Sequence, residues 1–247
     1  MRDLLENLNP QQRKAVTTTE GPLLILAGAG SGKTRVISHR IAYLMNSLGV
    51  KPESILAVTF TNKAADQMKQ RVAKLIRHGM LTQPRISTFH SFCVWVLRRE
   101  IDGLGISRNF SIYDTSAQLA TIKACIRELG LGEQAASPRV TLSRISYAKN
   151  RGLSSENLSG RWSPTGNEHA ATLFSLYAEK LSRADALDFD DLLVKTVELF
   201  NKLPEVRETY NNLFQYLLVD EFQDTNRLQY DLIHHLTHLH QNLCAVG

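Results

Sequence analysis

The stretch Leu23-Leu24-Ile25-Leu26-Ala27-Gly28-Ala29-Gly30-Ser31-Gly32-Lys33-Thr34-Arg35 is an apolar run that gives way to alternating glycines, then to a lysine and a threonine. The apolar part, counted from Pro22, has the length of a buried strand and stops where glycine takes over. Beyond it Val36, Ile37, Ile41, Leu44, Met45 and Leu48 recur at helical spacing up to Gly49. A strand, a glycine-rich loop and a helix in that order make a phosphate-binding loop. Its small residues let backbone N–H groups approach phosphate oxygens, and the helix N-terminus adds favourable partial charge. In such a loop Lys33 reaches the β- and γ-phosphates of a nucleotide, and the Thr34 hydroxyl coordinates Mg²⁺. The first position is Ala27 where the strict pattern has glycine, a departure of one methyl group.

The flanking sequence repeats the strand-then-helix order. Ile55–Phe60 and Arg85–Phe89 have strand length, followed by helical patterns over 64–76 and 91–101. Alternation of this kind predicts an α/β fold with a parallel sheet covered on both faces. From 114 to 183 the periodicity is helical, apart from a polar stretch over 150–168 that reads as an exposed loop. Strand patterning returns at 216–220 and 242–246. The expected architecture is therefore one α/β domain built from residues 1–112 and 184–247, interrupted by a helical insertion over 113–183. The spacing agrees, since Lys33 and Asp220 are farther apart than two or three strand–helix units require.

Leu217-Leu218-Val219-Asp220-Glu221 is an apolar strand that ends in two carboxylates. Ligands of open α/β sheets bind at the carboxyl ends of the strands. There Asp220 suits Mg²⁺, and Glu221 suits orientation and deprotonation of an attacking water.

Composition narrows the class. With 247 residues, 43% hydrophobic and 21% charged, the chain can bury a core, which excludes a disordered protein. No run approaches the roughly 20 apolar residues of a membrane helix, and the first residues lack the apolar core of a secretory signal. Cys93, Cys125 and Cys244 are scattered, which excludes a disulfide scaffold and a cysteine zinc site and favours a reducing compartment. The net charge of +5 conceals an uneven distribution: residues 60–100 carry 8 basic and 2 acidic groups, residues 185–247 carry 4 and 11. A basic stretch suggests a polyanionic partner and an acidic one a metal or a partner, although solvated helix faces are the better reading of charge alone.

Six motifs carry a family resemblance: Leu8-Asn9-Pro10-Gln11-Gln12, Ala27–Arg35, Ala57–Ala65, Ser87–Phe92, Asp188-Phe189-Asp190-Asp191, and Asp220-Glu221-Phe222-Gln223-Asp224. In that order they resemble the N-terminal part of a superfamily 1 DNA helicase of the UvrD/Rep/PcrA type. The resemblance implies a RecA-like P-loop NTPase domain with a helical subdomain inserted in it. Gln12 matches a residue that reads the adenine edge, Arg35 one that packs near the base, and Ala27, Gly28, Ala29, Gly30, Ser31, Gly32, Lys33 and Thr34 the loop that holds ATP. Thr59, Phe60, Thr61, Asn62 and Lys63, with Thr88, His90 and Ser91, match segments that face single-stranded DNA. Rings for base stacking and polar or basic groups for phosphates suit that role, while Phe60 and Phe89 also suit a core. The Asp188–Asp191 carboxylates could be taken for a metal cluster, but helix capping and dipole complementarity explain them equally and are the preferred reading; the resemblance implies a structural or DNA-side role.

The resemblance further implies an ATP- and Mg²⁺-dependent translocase or helicase moving 3′ to 5′, in the cytoplasm at the nucleoid. Its partners would be single-stranded DNA, single-strand/duplex junctions and a second RecA-like domain of the same longer chain, with no membrane involved. Since the family's later motifs would follow Gly247, residues 1–247 alone are expected to bind nucleotide weakly, to hydrolyse little ATP and not to unwind DNA. Two alternatives are the helicase subunit of a recombination nuclease complex and a non-catalytic nucleic-acid-binding protein with a vestigial nucleotide site.

Overall fold

The computed structural model describes residues 4–28, 30–76, 82–131, 137–153 and 169–247; Ala29, and most of the loop expected over 150–168, lie outside them. The described chain forms two compact units. The first comprises residues up to Phe92, then Leu203–Thr225 and Gln229–Gly247, and the second comprises Cys93–Lys202 with Asn226–Leu228. The second unit is wider than the 113–183 stretch, because short strands and helices on either side of it pack with its helices.

The first unit is built on five parallel strands in the order β1 (Leu23–Ile25), β7 (Leu243–Val246), β6 (Tyr216–Val219), β2 (Ile55–Thr59) and β3 (Arg85–Thr88). All five residues of β2 are buried, which is why that strand is apolar throughout rather than alternating. Helix α2 (Lys33–Asn46) links β1 to β2, and α3 (Asn62–Leu75) links β2 to β3. Ile37, Ile41 and Leu44 of α2 and Met68 and Val72 of α3 form one core with Ile55, Leu218 and Val246 of the sheet. Burial of that apolar surface is the main stabilising term. Local chemistry sets the helix starts. Asn9 and Gln12 form a reciprocal capping box at α1 (Pro10–Thr17), and Thr61 accepts the Ala64 N–H at the start of α3.

Arg40 is 2% exposed beneath α1. Its guanidinium donates to the carbonyls of Ala15 at 2.7 Å, Thr19 at 3.1 Å, and Thr18. These lie at and just past the end of α1, where carbonyls lack helical partners. Burial pulls the Arg40 pKa down from its ordinary value, against the opposing influence of Cys244 and Glu20. An arginine still remains charged.

The second unit contains α5 (Thr115–Glu128), α6 (Pro138–Asn150), α7 (Ala170–Arg183) and α8 (Phe189–Lys202), with the latter half of α4 (Phe89–Glu100). Ile122, Ile126, Ile145, Leu173, Phe174 and Tyr177 form its core. Within the described residues, 114–183 contains no strand. Flanking it, however, β4 (Ser111–Tyr113) and β5 (Ala186–Asp188) pair in parallel, which the sequence reading missed because three residues are too few to show a period. The Asp188–Asp191 carboxylates cap α8 reciprocally: Asp188 Oδ1 accepts the Asp191 N–H at 2.8 Å, and Asp191 Oδ2 accepts the Asp188 N–H at 3.1 Å. Lys149 lies between them, 2.7 Å from Asp188 Oδ2 and 2.7 Å from Asp191 Oδ1, while the Tyr177 hydroxyl donates to Asp188 at 2.9 Å. Burial works against the Lys149 charge, but the two carboxylates outweigh it and hold its pKa above the usual value.

Two stability outcomes follow from these buried ions. Removing Arg40 leaves three carbonyls without their donor, so Arg40→Leu is expected to cost roughly 2–4 kcal/mol, about 5–15 °C in thermal midpoint for a chain of this size. An unchanged midpoint would show that solvent replaces the guanidinium without loss. Lys149→Met strands two buried carboxylates and is expected to cost about 3–5 kcal/mol. Chemical denaturation measures it, and a neutral substitution would contradict the geometry described.

Candidate nucleotide site and adjoining loops

The phosphate loop leaves β1 at the carboxyl edge of the sheet. Gly30 and Gly32 take positive φ values of 76° and 88°, a backbone that residues with a Cβ rarely adopt. Gly32 caps α2 without a side-chain bond, so the first N–H groups of the helix stay available to a ligand. A Cβ on Gly32 would also come within 3.2 Å of Gln12 Nε2. Ala27 donates its N–H to the Gly247 carbonyl at 2.8 Å, tying the loop's first residue to β7. The Ser31 N–H reaches Gly28 O at 3.3 Å.

Two strands away β6 delivers the carboxylates. Lys33 Nζ lies 3.0 Å from Glu221 Oε2, and the Thr34 hydroxyl lies 3.5 Å from Asp220 Oδ2, the outer limit of a hydrogen bond. Asp220 is buried, and its pKa is raised by burial first and by the Glu221 charge second. Glu221 is held below its usual range, mainly by the Gln223 side chain and then by Lys33. Glu221 itself sits at φ 54°, in the left-handed region, which turns its side chain out of the strand direction towards Lys33. A cleft of about 820 Å³ opens over these groups, lined by Gly30, Lys33, Thr34, Arg35, Arg71 and Glu221 among others. That volume matches the size range of small-ligand sites.

The donor set fits a magnesium–nucleotide. A hydroxyl and a buried carboxylate are hard oxygen ligands suited to a divalent cation. The free helix N-terminus and Lys33 suit the phosphates.

Gln12 comes to the loop from α1, 19 positions before Ser31. Its Nε2 donates to Ser31 O at 3.0 Å, and its Oε1 accepts the Asn9 N–H at 3.2 Å. Arg35 donates to Asn7 O at 2.8 Å, fastening the N-terminal segment to α2. Gln223, within the motif that follows β6, donates from its Nε2 to Glu221 Oε2 at 2.8 Å. No signal in the sequence distinguishes that bond from a surface amide.

The residues matched to DNA-facing segments divide by exposure. Thr59 and Thr88 are buried, and their hydroxyls are used inside the chain, Thr59 on Thr61 O at 3.1 Å and Thr88 at the start of α4 with Ser91 at 2.9 Å. Thr61, Asn62, Lys63 and Ser91 are exposed, while Phe60 and His90 are half-buried. Phe89 is buried in the core and meets Phe60 edge to face at 5.6 Å between ring centres.

Comparison with known proteins places the chain among DNA helicase sequences. The chain is 51% identical to the ATP-dependent DNA helicase PcrA of Bacillus subtilis over 244 residues, 99% of this chain and 33% of that protein. It is 47% identical over 247 residues to the protein of the same name from Staphylococcus aureus strain Mu50, covering 34% of it. The Staphylococcus epidermidis PcrA is 48% identical over 248 residues. The chain thus spans about a third of the length of the curated relatives it matches. The UvrD/REP helicase N-terminal domain family matches residues 8–247, and the chain belongs to it.

Proposed function

We propose that this chain is the nucleotide-binding part of an ATP- and Mg²⁺-dependent DNA translocase of the 3′ to 5′ helicase type. The observation that carries the reading is the convergence of Lys33 and Thr34 with Asp220 and Glu221 at one edge of one sheet. Bound magnesium–ATP supplies the phosphoanhydride whose cleavage drives the motor. Lys33 and the α2 N-terminus would hold the phosphates; Thr34 and Asp220 would hold the metal. Glu221, kept ionised by its neighbours, accepts a proton from the attacking water. Gln12 and Arg35 sit beside the loop where the base would be read.

Single-stranded DNA is the proposed polymer. Asn62, Lys63 and Ser91 offer exposed polar and basic groups, and Phe60 and His90 offer half-buried rings, all from the first unit. Thr59, Thr61 and Thr88 shape the turns that present them. Junction DNA and a second motor domain belong to the same reading, as does a nucleoid-associated cytoplasmic location. The three cysteines are buried, and burial pushes the Cys93 thiol up to about 12, so none resembles a redox centre. The division into a RecA-like domain with a helical subdomain is proposed on the same grounds. Among the described residues, no helix is long and apolar enough to cross a membrane.

Titration with a fluorescent ATP analogue tests the nucleotide site. Lys33→Ala is expected to weaken magnesium–nucleotide binding tenfold or more, about 1.4 kcal/mol or greater; unchanged affinity would favour a vestigial site. Lys63→Ala is expected to weaken oligo(dT) binding and to make its log–log salt dependence shallower by about 0.7, the value for one phosphate contact on a single strand. An unaltered slope would remove Lys63 from the DNA path.

A further inference from the structure

We infer that Gln223 is a positioning residue for Glu221, keeping that carboxylate in place so that Lys33 is free to leave it for a phosphate; the inference rests on the nucleotide-site reading above. Glu221 Oε2 receives two donors, Lys33 Nζ at 3.0 Å and Gln223 Nε2 at 2.8 Å. One oxygen thus carries both the loop lysine and an amide from the turn that follows the strand. The 3-10 turn Phe222–Asp224 folds Gln223 back towards the strand end, and Gln223 Nε2 also lies 3.3 Å from Asp224 Oδ2.

The other end of the Gln223 amide rests against the backbone of the sheet. A Cβ placed on Gly247 would come within 2.9 Å of Gln223 Oε1. Gly247 is itself fixed, donating to Ile25 O at 3.0 Å and accepting from Ala27 N at 2.8 Å. The amide therefore lies between Glu221 and Gly247, beside the β7–β1 edge from which the phosphate loop departs.

Two donors on one oxygen compete. With Gln223 in place, part of the carboxylate's hydrogen-bonding capacity is met, and the Lys33 contact is correspondingly easier to exchange. Without it, Glu221 is free to follow Lys33 and hold it in a tighter ion pair, because a charged donor is the stronger partner. Loss of Gln223 should then weaken nucleotide binding through Glu221, although Gln223 touches no group that holds the nucleotide except through that carboxylate.

A double-mutant cycle on magnesium–nucleotide affinity isolates the effect. In the 247-residue chain, Gln223→Ala is expected to weaken binding of a non-hydrolysable ATP analogue about three- to tenfold when residue 221 is glutamate. It should change binding less than about twofold in the Glu221→Gln background. Gly247→Ala, whose methyl displaces the Gln223 side chain without removing it, should give the same Glu221-dependent loss and keeps the test open if Gln223→Ala folds poorly. An equal loss in both backgrounds would mean that Gln223 acts only through local folding, and no loss in either would mean that it does not position Glu221; both overturn the inference. Equal affinity for wild type and Lys33→Ala would instead remove the nucleotide-site reading, and the inference with it.

Discussion

The ion pair between Lys33 and Glu221 is the constraint from which the site takes its form. The two residues are far apart in sequence, yet their side chains meet at 3.0 Å because β1, β7 and β6 are consecutive parallel strands. Parallel strands end on the same edge, so a loop after β1 and a carboxylate after β6 are delivered to the same place without further machinery. The register fixes this to the residue: Leu23 faces Cys244, and Leu218 faces Cys244 from the other side. A slip of one residue in either pairing would exchange inward and outward side chains and separate the charges.

Around that pair the protein uses backbone carbonyls and buried ions to hold pieces that contribute little apolar surface. The N-terminal segment that brings Gln12 to the loop is fastened to α2 by Arg35, by His39, whose Nδ1 lies 2.8 Å from Leu4 O, and by the buried Arg40. Leu8, Val16 and Val36 add only a small apolar cluster there. In the second unit the Lys149 triad plays the corresponding part for the turn between β5 and α8. Asn150 continues it by donating to Asp190 at 2.8 Å and accepting from Asn226 at 2.8 Å. Such networks are costly when a member is lost and contribute modestly when complete, so their clearest effect is to select one arrangement of the backbone.

The sheet and the phosphate loop were legible because they rest on local signals. Apolar runs of strand length, a run of glycines between strand and helix, and a lysine–threonine pair at a helix start together have one dominant physical reading. The carboxylate pair was legible only beside the phosphate loop, because an apolar strand ending in charge is common by itself. What escaped depends on burial, on side-chain geometry that the fold alone settles, or on elements too short to show a pattern. β4 and β5 are too short to show a period. Lys149 looks like any basic residue on a helix until Asp188 and Asp191 come to it through the fold. Thr59 and Thr88 look like hydroxyls available to a phosphate, yet burial and local bonds occupy them. Gln223 lies within a recognisable motif, but its bond to Glu221 and its rest against Gly247 exist only in three dimensions. The choice between core and DNA for the two phenylalanines was settled for Phe89 by its burial, while Phe60 stays half-buried beside it.

A structure of the chain with magnesium and a non-hydrolysable ATP analogue tests the central claim most directly. The account predicts that Lys33 exchanges Glu221 for the phosphates, with the metal held by Thr34 and Asp220 and the base beside Gln12 and Arg35. Triphosphate bound elsewhere, or bound with the Lys33–Glu221 pair still closed, would contradict it.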